Sequence, residues 1–370
     1  MNVQFRPWYN AIEHLELHRP DRAVMYFAAS ALSRTYSQFV EGFPGLVTYA
    51  VKANPDPAVL EVLAREGMAA FDVASPFEIS AVQATRPNAV LHYNNPVRSL
   101  AEIGIALDRG VRSFAVDRVG ELQKLVNTCP AGCEVTVRFK LPVKGAAYDF
   151  GSKFGAEPDL AVDLMRAAKA AGFRVSLGFH PGTQCATPDP WARYIEAAAK
   201  ICARADIRAE RLNIGGGFPS ARGGCMPEYR LYFNEIERAV QGAFDSARPE
   251  LLCEPGRAMV GDAMMLALQV KARDGAKLFL NDGVYGTLGE FPDIGPIKPS
   301  VPNRRGKASA FEIFGPTCDS IDRLDDPMWL PGDVAEGDYL LFKGMGAYAG
   351  ALASRFNGYG TPDLVEVTRL

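Results

Sequence analysis

The chain has 370 residues, 48% of them hydrophobic and 22% charged, a composition typical of a globular protein with room for two domains. Its formal net charge is −3, so no basic surface indicates binding to nucleic acid or to an anionic membrane. No apolar run approaches the roughly 20 residues of a membrane span, and the opening MNVQFRPWYNAIEH lacks a signal-peptide pattern.

Eight short apolar runs follow one another from Leu46 onward, separated by helix-like segments. The runs cover residues 46–52, 69–75, 89–95, 112–117, 134–140, 174–180, 211–217 and 250–256. They are apolar throughout rather than alternating, which is typical of parallel strands buried on both faces. Eight β/α units over about 210 residues predict a (β/α)₈ TIM barrel, although a doubly wound open sheet would show the same periodicity.

After about Met264 the pattern changes to strand-like runs separated by Gly, Pro and Asp turns, which predicts an all-β domain. The early run RAVMYFAAS, residues 22–30, is a candidate for the same sheet. The predicted fold is therefore of the α/β class: a barrel over residues 30–263, and a β-barrel or β-sandwich domain built from 1–29 with 264–370.

Unusual polar residues and glycines stand at the ends of the predicted strands, where barrel enzymes place their chemistry. They are Lys52, Asp72, His180, Gly215, Gly216, Gly217, Glu254 and Arg257. Taken singly, each has an ordinary structural explanation: a surface lysine, a glycine turn, a core histidine, an ion pair. Because strand ends converge at one rim, we expect them to share a pocket.

Together these residues indicate a site for pyridoxal phosphate. The apolar neighbours of Lys52 predict a desolvated amine that can bond covalently to a carbonyl. The glycines after the seventh strand and Arg257 suit a phosphate group. Glu254 could face a pyridine nitrogen and keep it protonated as an electron sink.

The sequence resembles the alanine-racemase-like (fold type III) pyridoxal-phosphate-dependent decarboxylases, and most closely the ornithine decarboxylase group. The resemblance covers nearly the whole chain in family order. It is carried by YAVKANPDP, FDVAS, KFG, GFHPGTQ, NIGGGFP, CEPGRAMV, NDGVYG, FGPTCDSID and GAYAGALASRFNGY.

The resemblance implies roles for the residues of the barrel. Lys52 would hold the cofactor covalently, Asp72 would tune the site, and His180 would stack on the pyridine ring. Glu254 would pair with the ring nitrogen. The phosphate would be bound by Thr183, Gly215, Gly216, Gly217, Arg257 and Tyr348.

The resemblance also implies an obligate homodimer with active sites at the subunit interface. Cys318 of the neighbouring subunit would protonate the carbon that loses CO₂. Asp319 of that subunit and Asp293 would receive the distal ammonium of the amino-acid substrate, Asp293 in a stretch that departs from the usual family sequence. Lys153 and Asp322 match a pair that forms a salt bridge across the family's dimer.

The predicted reaction is decarboxylation of L-ornithine to putrescine, with L-lysine to cadaverine also possible. A larger substrate stays open, such as carboxynorspermidine, diaminopimelate or a siderophore intermediate, although diaminopimelate enzymes typically carry Glu at the position of Asp319. A racemase would use a tyrosine as second base, whereas GPTCDS indicates the cysteine-donor branch. A catalytically inactive regulatory homologue would have lost residues such as Lys52 and Glu254, which this chain retains.

Seven cysteines are scattered without a disulfide framework, which favours a reducing cytoplasm. The pair Cys129 and Cys133 has CxxxC spacing but no second pair, so no metal site is predicted there.

Overall fold

The computed structural model describes residues 7–142, 152–244 and 248–370. The chain divides into two compact units. The barrel unit comprises Tyr36–Pro219 and Pro227–Ala258, and the sheet unit comprises Met1–Thr35, Ser220–Met226 and Met259–Leu370. The boundaries at residues 30 and 263 that the sequence suggested stay a prediction, and the division here falls at 35/36 and 258/259.

The strands are named in chain order over the described residues. They are β1 (Val24–Phe27), β2 (Leu46–Val47), β3 (Tyr49–Ala50), β4 (Ala70–Val73), β5 (Val90–Tyr93), β6 (Ser113–Val116), β7 (Glu134–Arg138), β8 (Arg174–Gly178), β9 (Arg211–Asn213), β10 (Glu250–Cys253), β11 (Met264–Asp274), β12 (Lys277–Leu280), β13 (Ala308–Phe314), β14 (Met328–Pro331), β15 (Tyr339–Lys343) and β16 (Asp363–Glu366).

The helices are named in the same way. They are α1 (Ala11–His18), α2 (Ala29–Gly42), α3 (Pro57–Glu66), α4 (Pro76–Thr85), α5 (Leu100–Asp108), α6 (Val119–Thr128), α7 (Pro158–Ala170), α8 (Asp189–Ala205), α9 (Tyr229–Phe244), α10 (Arg257–Val260) and α11 (Phe291–Ile294).

The barrel closes through a break in its first strand. The parallel ladder runs β2-β10-β9-β8-β7-β6-β5-β4-β3, and β2 and β3 are consecutive pieces of one run interrupted only at Thr48. The Thr48 N–H and hydroxyl both donate to the carbonyl of Cys253, at 2.9 and 3.0 Å, so the first piece pairs with the last strand. The second piece pairs with β4. The predicted TIM barrel is confirmed, and the open-sheet alternative is wrong.

Helices on the barrel begin where side chains satisfy their first N–H groups. Ser99 and Glu102 form a reciprocal capping box at the start of α5. Ser75 caps α4, which has Pro76 in its first turn, and the Ser75 hydroxyl accepts from Glu78 N–H at 3.3 Å. These caps fix the directions in which the loops after β4 and β5 leave the barrel.

A chain of buried polar groups crosses β5 to β9. His92 Nδ1 lies 3.1 Å from the Ser113 hydroxyl, Ser176 donates to Glu134 at 2.6 Å, and Arg211 donates to the same carboxylate at 2.8 Å. Burial, the main cause, and the nearby Arg211 and Arg174 lower the pKa of His92 to about 4, although Glu134 opposes them. His92 is therefore neutral in the folded barrel at neutral pH.

This pKa predicts acid sensitivity. Between the ordinary pKa of 6.5 and about 4, unfolded chains protonate His92 while folded chains do not, so stability present above pH 6.5 is lost as pH falls. The full loss from this residue is about 3 kcal/mol. Urea unfolding at fixed protein concentration should show a smaller decrease from pH 7 to 4 for His92→Gln than for the parent. Ser80→Ala, at an exposed position of the barrel unit, should leave the decrease unchanged, and an equal decrease in His92→Gln would refute the assignment.

The sheet unit contains a mixed sheet. Its strand order is β14-β13-β12-β11-β1-β16, with β15 paired to β11. The early strand β1 pairs antiparallel with β11, as the sequence suggested, and places Val24 opposite Ala267. Two short strands, β14 and β16, were not predicted: β14 ends in a proline, and β16 has only two apolar residues between Asp363 and Glu366.

Among the described helices, none combines the length and the apolar character needed to cross a membrane.

Candidate active site

Lys52 lies in one turn of 3₁₀ helix, Val51–Ala53, directly after β3. Its two neighbours are buried, but Lys52 itself is exposed, so the expected burial of the amine is wrong. The short helical turn directs the middle residue away from the packed side. The next residues start α3: Asn54 Oδ1 accepts from Asp56 N–H at 3.0 Å, and Asp56 caps the helix through Ala58 N–H at 2.9 Å.

Three charged groups occupy the barrel end around this turn. Asp72 pairs with Ala50 in the ladder and is only 4% exposed. Burial raises the pKa of Asp72 well above its ordinary value, the charge of Glu254 raises it further, and the Lys52 ammonium opposes both. Lys52, Asp72 and Glu254 therefore lie within electrostatic reach of one another, as the sequence predicted for the strand ends.

Glu254 is the second buried acid of this site, with 7% exposure. Two side-chain amides donate to its Oε1: Asn94, at 2.5 Å, and Asn213. The orientation of Asn213 is fixed from its other side, because its Oδ1 accepts from Gly215 N–H at 2.9 Å. Hydrogen bonds from two amides stabilise a carboxylate in its charged form and hold it in one position.

His180 presents a neutral ring. Its Nδ1 accepts from Gly182 N–H at 3.2 Å, so the ring proton belongs on Nε2. Burial lowers the pKa of His180 well below its ordinary value, and Lys52 and Arg138 lower it further. A flat imidazole in its neutral form can stack on an aromatic ring.

The glycine turn after β9 packs against the His180 segment so closely that side chains are excluded. Gly215 and Gly217 have φ of +68° and +90°. A Cβ on Gly215 would lie 2.5 Å from the Phe179 carbonyl oxygen, and one on Gly217 would lie 2.8 Å from that of Gly182. Among the described residues, Gly216 and Gly217 N–H have no backbone acceptor. The turn thus offers backbone amides in a narrow space suited to an anion.

Arg257 begins α10 and is buried. The Tyr229 hydroxyl lies 3.0 Å from the Pro219 carbonyl and 3.3 Å from that of Ala258, so it links the segment after the glycine turn to the segment after Arg257. The predicted residue Thr183 lies partly buried in the loop after His180. One end of the barrel thus carries Lys52, Asp72, His180, the glycine turn and Glu254, and Thr183 and Arg257 follow two of the same strand ends.

Four residues of this site were not predicted from the sequence. Arg138 ends β7, and burial lowers its pKa, while Glu254 and Asp117 raise it. The other three are Glu78, Asn94 and Asn213. A cavity of about 20 Å³ is lined by Asn94, Ala115, Thr136, Arg138, Gly178, Phe179, His180, Asn213 and Glu254. Their position at strand ends, the criterion that identified Lys52, would have found Arg138, Asn94 and Asn213.

The remaining predicted residues belong to the sheet unit. Cys318 is exposed, and its N–H donates to Asn357 Oδ1 at 3.1 Å. Asp319 follows it and accepts from the Tyr285 hydroxyl at 2.6 Å. Asp293 is exposed in the first turn of α11, and Tyr348 has a positive φ of 64°. The structure brings Cys318 and Asp319 together on one loop.

Asp322 has a role within its own chain that the resemblance did not imply. Its side chain is 1% exposed, and it accepts from Val284 N–H at 3.0 Å, Thr317 N–H at 3.1 Å and the Thr317 hydroxyl at 2.7 Å. These donors come from its own chain. Within its own chain Asp322 thus organises the loop that carries Cys318, and the salt bridge to Lys153 of another subunit stays a prediction.

Comparison with known proteins agrees with this geometry. Residues 29–261 match the family model of the pyridoxal-dependent decarboxylases, pyridoxal binding domain. Ornithine decarboxylase 2 of Drosophila melanogaster is 32% identical over 380 residues, which cover 95% of this chain and 93% of that protein.

Two solved structures are similar over almost their full length. One is the lysine/ornithine decarboxylase of Vibrio vulnificus complexed with cadaverine, with TM-score 0.85, 26% identity, and coverage of 96% of this chain and 97% of that one. The other is the arginine decarboxylase of Paramecium bursaria Chlorella virus, with TM-score 0.87, 25% identity, and coverage of 96% and 99%.

The residues of the barrel end fit the cofactor of this family. A buried acid held by two amides suits a pyridine nitrogen, a neutral imidazole suits its ring face, and a turn that admits no Cβ suits its phosphate. A lysine stands at the same end of the barrel. The chain belongs to the pyridoxal-dependent decarboxylases and is an amino-acid decarboxylase with pyridoxal 5'-phosphate as its cofactor.

Proposed function

We propose that the enzyme decarboxylates L-ornithine to putrescine and acts also on L-lysine to give cadaverine. The observation that carries this proposal is the carboxylate of Asp319, held next to Cys318 on an exposed loop. A fixed carboxylate suits the distal ammonium of a basic amino acid through a charge-assisted hydrogen bond. Relatives named for ornithine, lysine and arginine decarboxylation support the same substrate class.

The roles of the barrel residues follow from their chemistry. Bound pyridoxal phosphate supplies an electron sink for the electron pair left when CO₂ departs. Lys52 would anchor the cofactor covalently, Glu254 would hold a proton at its ring nitrogen, and His180 would cover one ring face. The N–H groups of Gly216 and Gly217, together with Arg257, would bind its phosphate. We also assign Thr183 and Tyr348 to the phosphate on the basis of the family motifs, and Asp72 to tuning of the site.

Asp319 is prepared for a cation before substrate binds. The Tyr285 hydroxyl, the main cause, and the Ile321 N–H at 3.1 Å lower the pKa of Asp319 below its ordinary value. The carboxylate is therefore ionised at neutral pH and fixed from both oxygens. Asp293, exposed on α11, is assigned as a second acid for the same ammonium.

We assign the active form to a homodimer in which Cys318 and Asp319 of one subunit complete the barrel site of the other. Exposed apolar side chains on both units support a covered interface. In the barrel unit they stand at the starts of three successive helices: Phe77, Leu100 and Val119. In the sheet unit Ile321 and Leu352 are exposed, with Ile321 close to Cys318 in sequence. The seven unpaired cysteines suit a reducing cytoplasm, where we place the enzyme.

A CO₂-release assay with a panel of substrates tests the proposed reaction. Purified protein with pyridoxal phosphate should release CO₂ fastest from L-ornithine, measured as kcat/KM, with L-lysine next. One methylene changes binding by only about 1–3 kcal/mol, so L-lysine should retain measurable activity. A higher kcat/KM for L-arginine or meso-diaminopimelate would contradict the assignment.

Removing the hydroxyl that orients Asp319 should weaken substrate binding. In Tyr285→Phe we expect KM for L-ornithine to rise about tenfold with little change in kcat, since a hydrogen bond to a charged group is lost. Tyr9→Phe, at an exposed tyrosine of the same unit, is the matched control and should leave KM unchanged. A fall in kcat at constant KM would show that Tyr285 acts in chemistry instead.

A further inference from the structure

Asn94 forms one half of the amide pair on Glu254. It follows β5 directly, and its N–H extends the ladder to Val73 O at 3.2 Å. Its side chain donates to Glu254 Oε1 at 2.5 Å, the same oxygen that Asn213 contacts. Among the described residues, Glu254 Oε2 receives no hydrogen bond. The two amides therefore occupy one oxygen and leave the other to face a bound group.

The loop that carries Asn94 is held by a buried arginine. Arg98 is 1% exposed, and its guanidinium donates to the carbonyls of Tyr93, at 3.3 Å, and of Asn95, the residues on either side of Asn94. It also donates to Ala115 O, at the end of β6, at 2.6 Å. The planar fork thereby fixes the backbone at Asn94 against the neighbouring strand.

The position of Arg98 is itself secured. The backbone N–H of Arg98 donates to Glu121 Oε2 at 3.2 Å, and the backbone carbonyl of Arg98 accepts from Lys124 Nζ at 2.6 Å. Lys124 Nζ also contacts Glu121 Oε1 at 2.6 Å. Desolvation of the buried guanidinium costs free energy. The hydrogen bonds of its side chain and backbone offset that cost only in this one loop geometry.

We propose that Asn94 is a positioning residue for Glu254 and that Arg98 in turn positions Asn94, so that the β5 loop sets the protonation of the cofactor's ring nitrogen. The inference rests on the proposed role of Glu254. Without Asn94 the carboxylate loses a donor that favours its charged form, and the proton shared with the ring nitrogen moves toward Glu254. The electron sink is then weaker, while substrate contacts are unchanged.

The test uses pyridoxal phosphate labelled with ¹⁵N in its ring, bound to the full-length enzyme. In Asn94→Ala the ring ¹⁵N chemical shift should move toward the unprotonated position. The dissociation constant for the cofactor should rise about tenfold, and kcat should fall about tenfold at nearly constant KM. Asn95→Ala is the matched control, since Asn95 contacts Ala74 O and Val97 N–H but not Glu254, and its ring shift should equal that of the parent.

Arg98→Lys keeps the charge but loses the fork, so it should reproduce the Asn94→Ala shift in part while thermal melting reports whether the fold is intact. An unchanged ring shift and cofactor affinity in Asn94→Ala would overturn the proposal, as would an equal shift in Asn95→Ala. A parent enzyme whose bound ring nitrogen is unprotonated would instead contradict the proposed role of Glu254.

Discussion

Lys52→Ala should abolish turnover, with a fall in kcat on the order of 10⁴-fold or more, because the variant has no amine at the barrel end to hold the cofactor covalently. The absorbance that a lysine-bound cofactor gives near the edge of the visible range should vanish with it. The exposed amine next to Asp72 and Glu254 explains why this residue, rather than another surface lysine, should matter.

Lys200→Ala is the matched control for this change, because Lys200 is an exposed lysine of the barrel unit on α8. It should keep the parent's spectrum and kcat. Retained absorbance in Lys52→Ala would show that another lysine anchors the cofactor. A melting temperature close to that of the parent would confirm that the loss is chemical and not a failure to fold.

Cys318→Ala should lower kcat about a hundredfold, within the range of about 10² to 10⁴ for a positioned acid. The thiol is exposed on a loop that is organised by Asn357 and by the buried Asp322, so its position is set before substrate binds. Without it, a larger share of turnovers should end with the proton on the cofactor instead of the substrate carbon. Those turnovers release an aldehyde and leave the cofactor in its amine form, which product analysis can measure.

Cys225→Ala, at another exposed cysteine of the sheet unit, should behave like the parent. Mixing Lys52→Ala with Cys318→Ala extends the test to the dimer. Random exchange of subunits would make half of the dimers mixed, each with one intact site, and restore about one quarter of the parent's activity. No recovery after proven exchange would place both residues of a site in the same chain.

The barrel could be predicted because its strands repeat. Eight apolar runs gave eight strand positions, but closure depends on Thr48, where one run divides to pair with β10 on one side and β4 on the other. That break has no signal in the sequence, since Leu46 to Ala50 reads as one strand. The position of the break is set by hydrogen bonds to strands that are distant in the chain, and not by the spacing of residues along it.

The reactive residues of the site could be predicted more readily than the residues that position them. Lys52 and Glu254 stand out by charge at strand ends, whereas Asn94, although it also follows a strand, is uncharged, and Arg98 lies further along the loop. Their roles arise from contacts with residues up to 160 positions away, such as Asn94 with Glu254. Asp322 is a second such case, because its motif gives no sign of the three donors that it receives from its own chain.

Borohydride reduction shows whether the cofactor binds at the barrel end through Lys52. Reduction turns a carbon–nitrogen double bond between the cofactor and a lysine into a stable single bond, which peptide mass spectrometry can locate. We expect the label on the peptide that contains Lys52, with L-ornithine protecting it during turnover. A label on any other lysine, or none on holoenzyme with full activity, would rule out Lys52 as the residue that holds the cofactor.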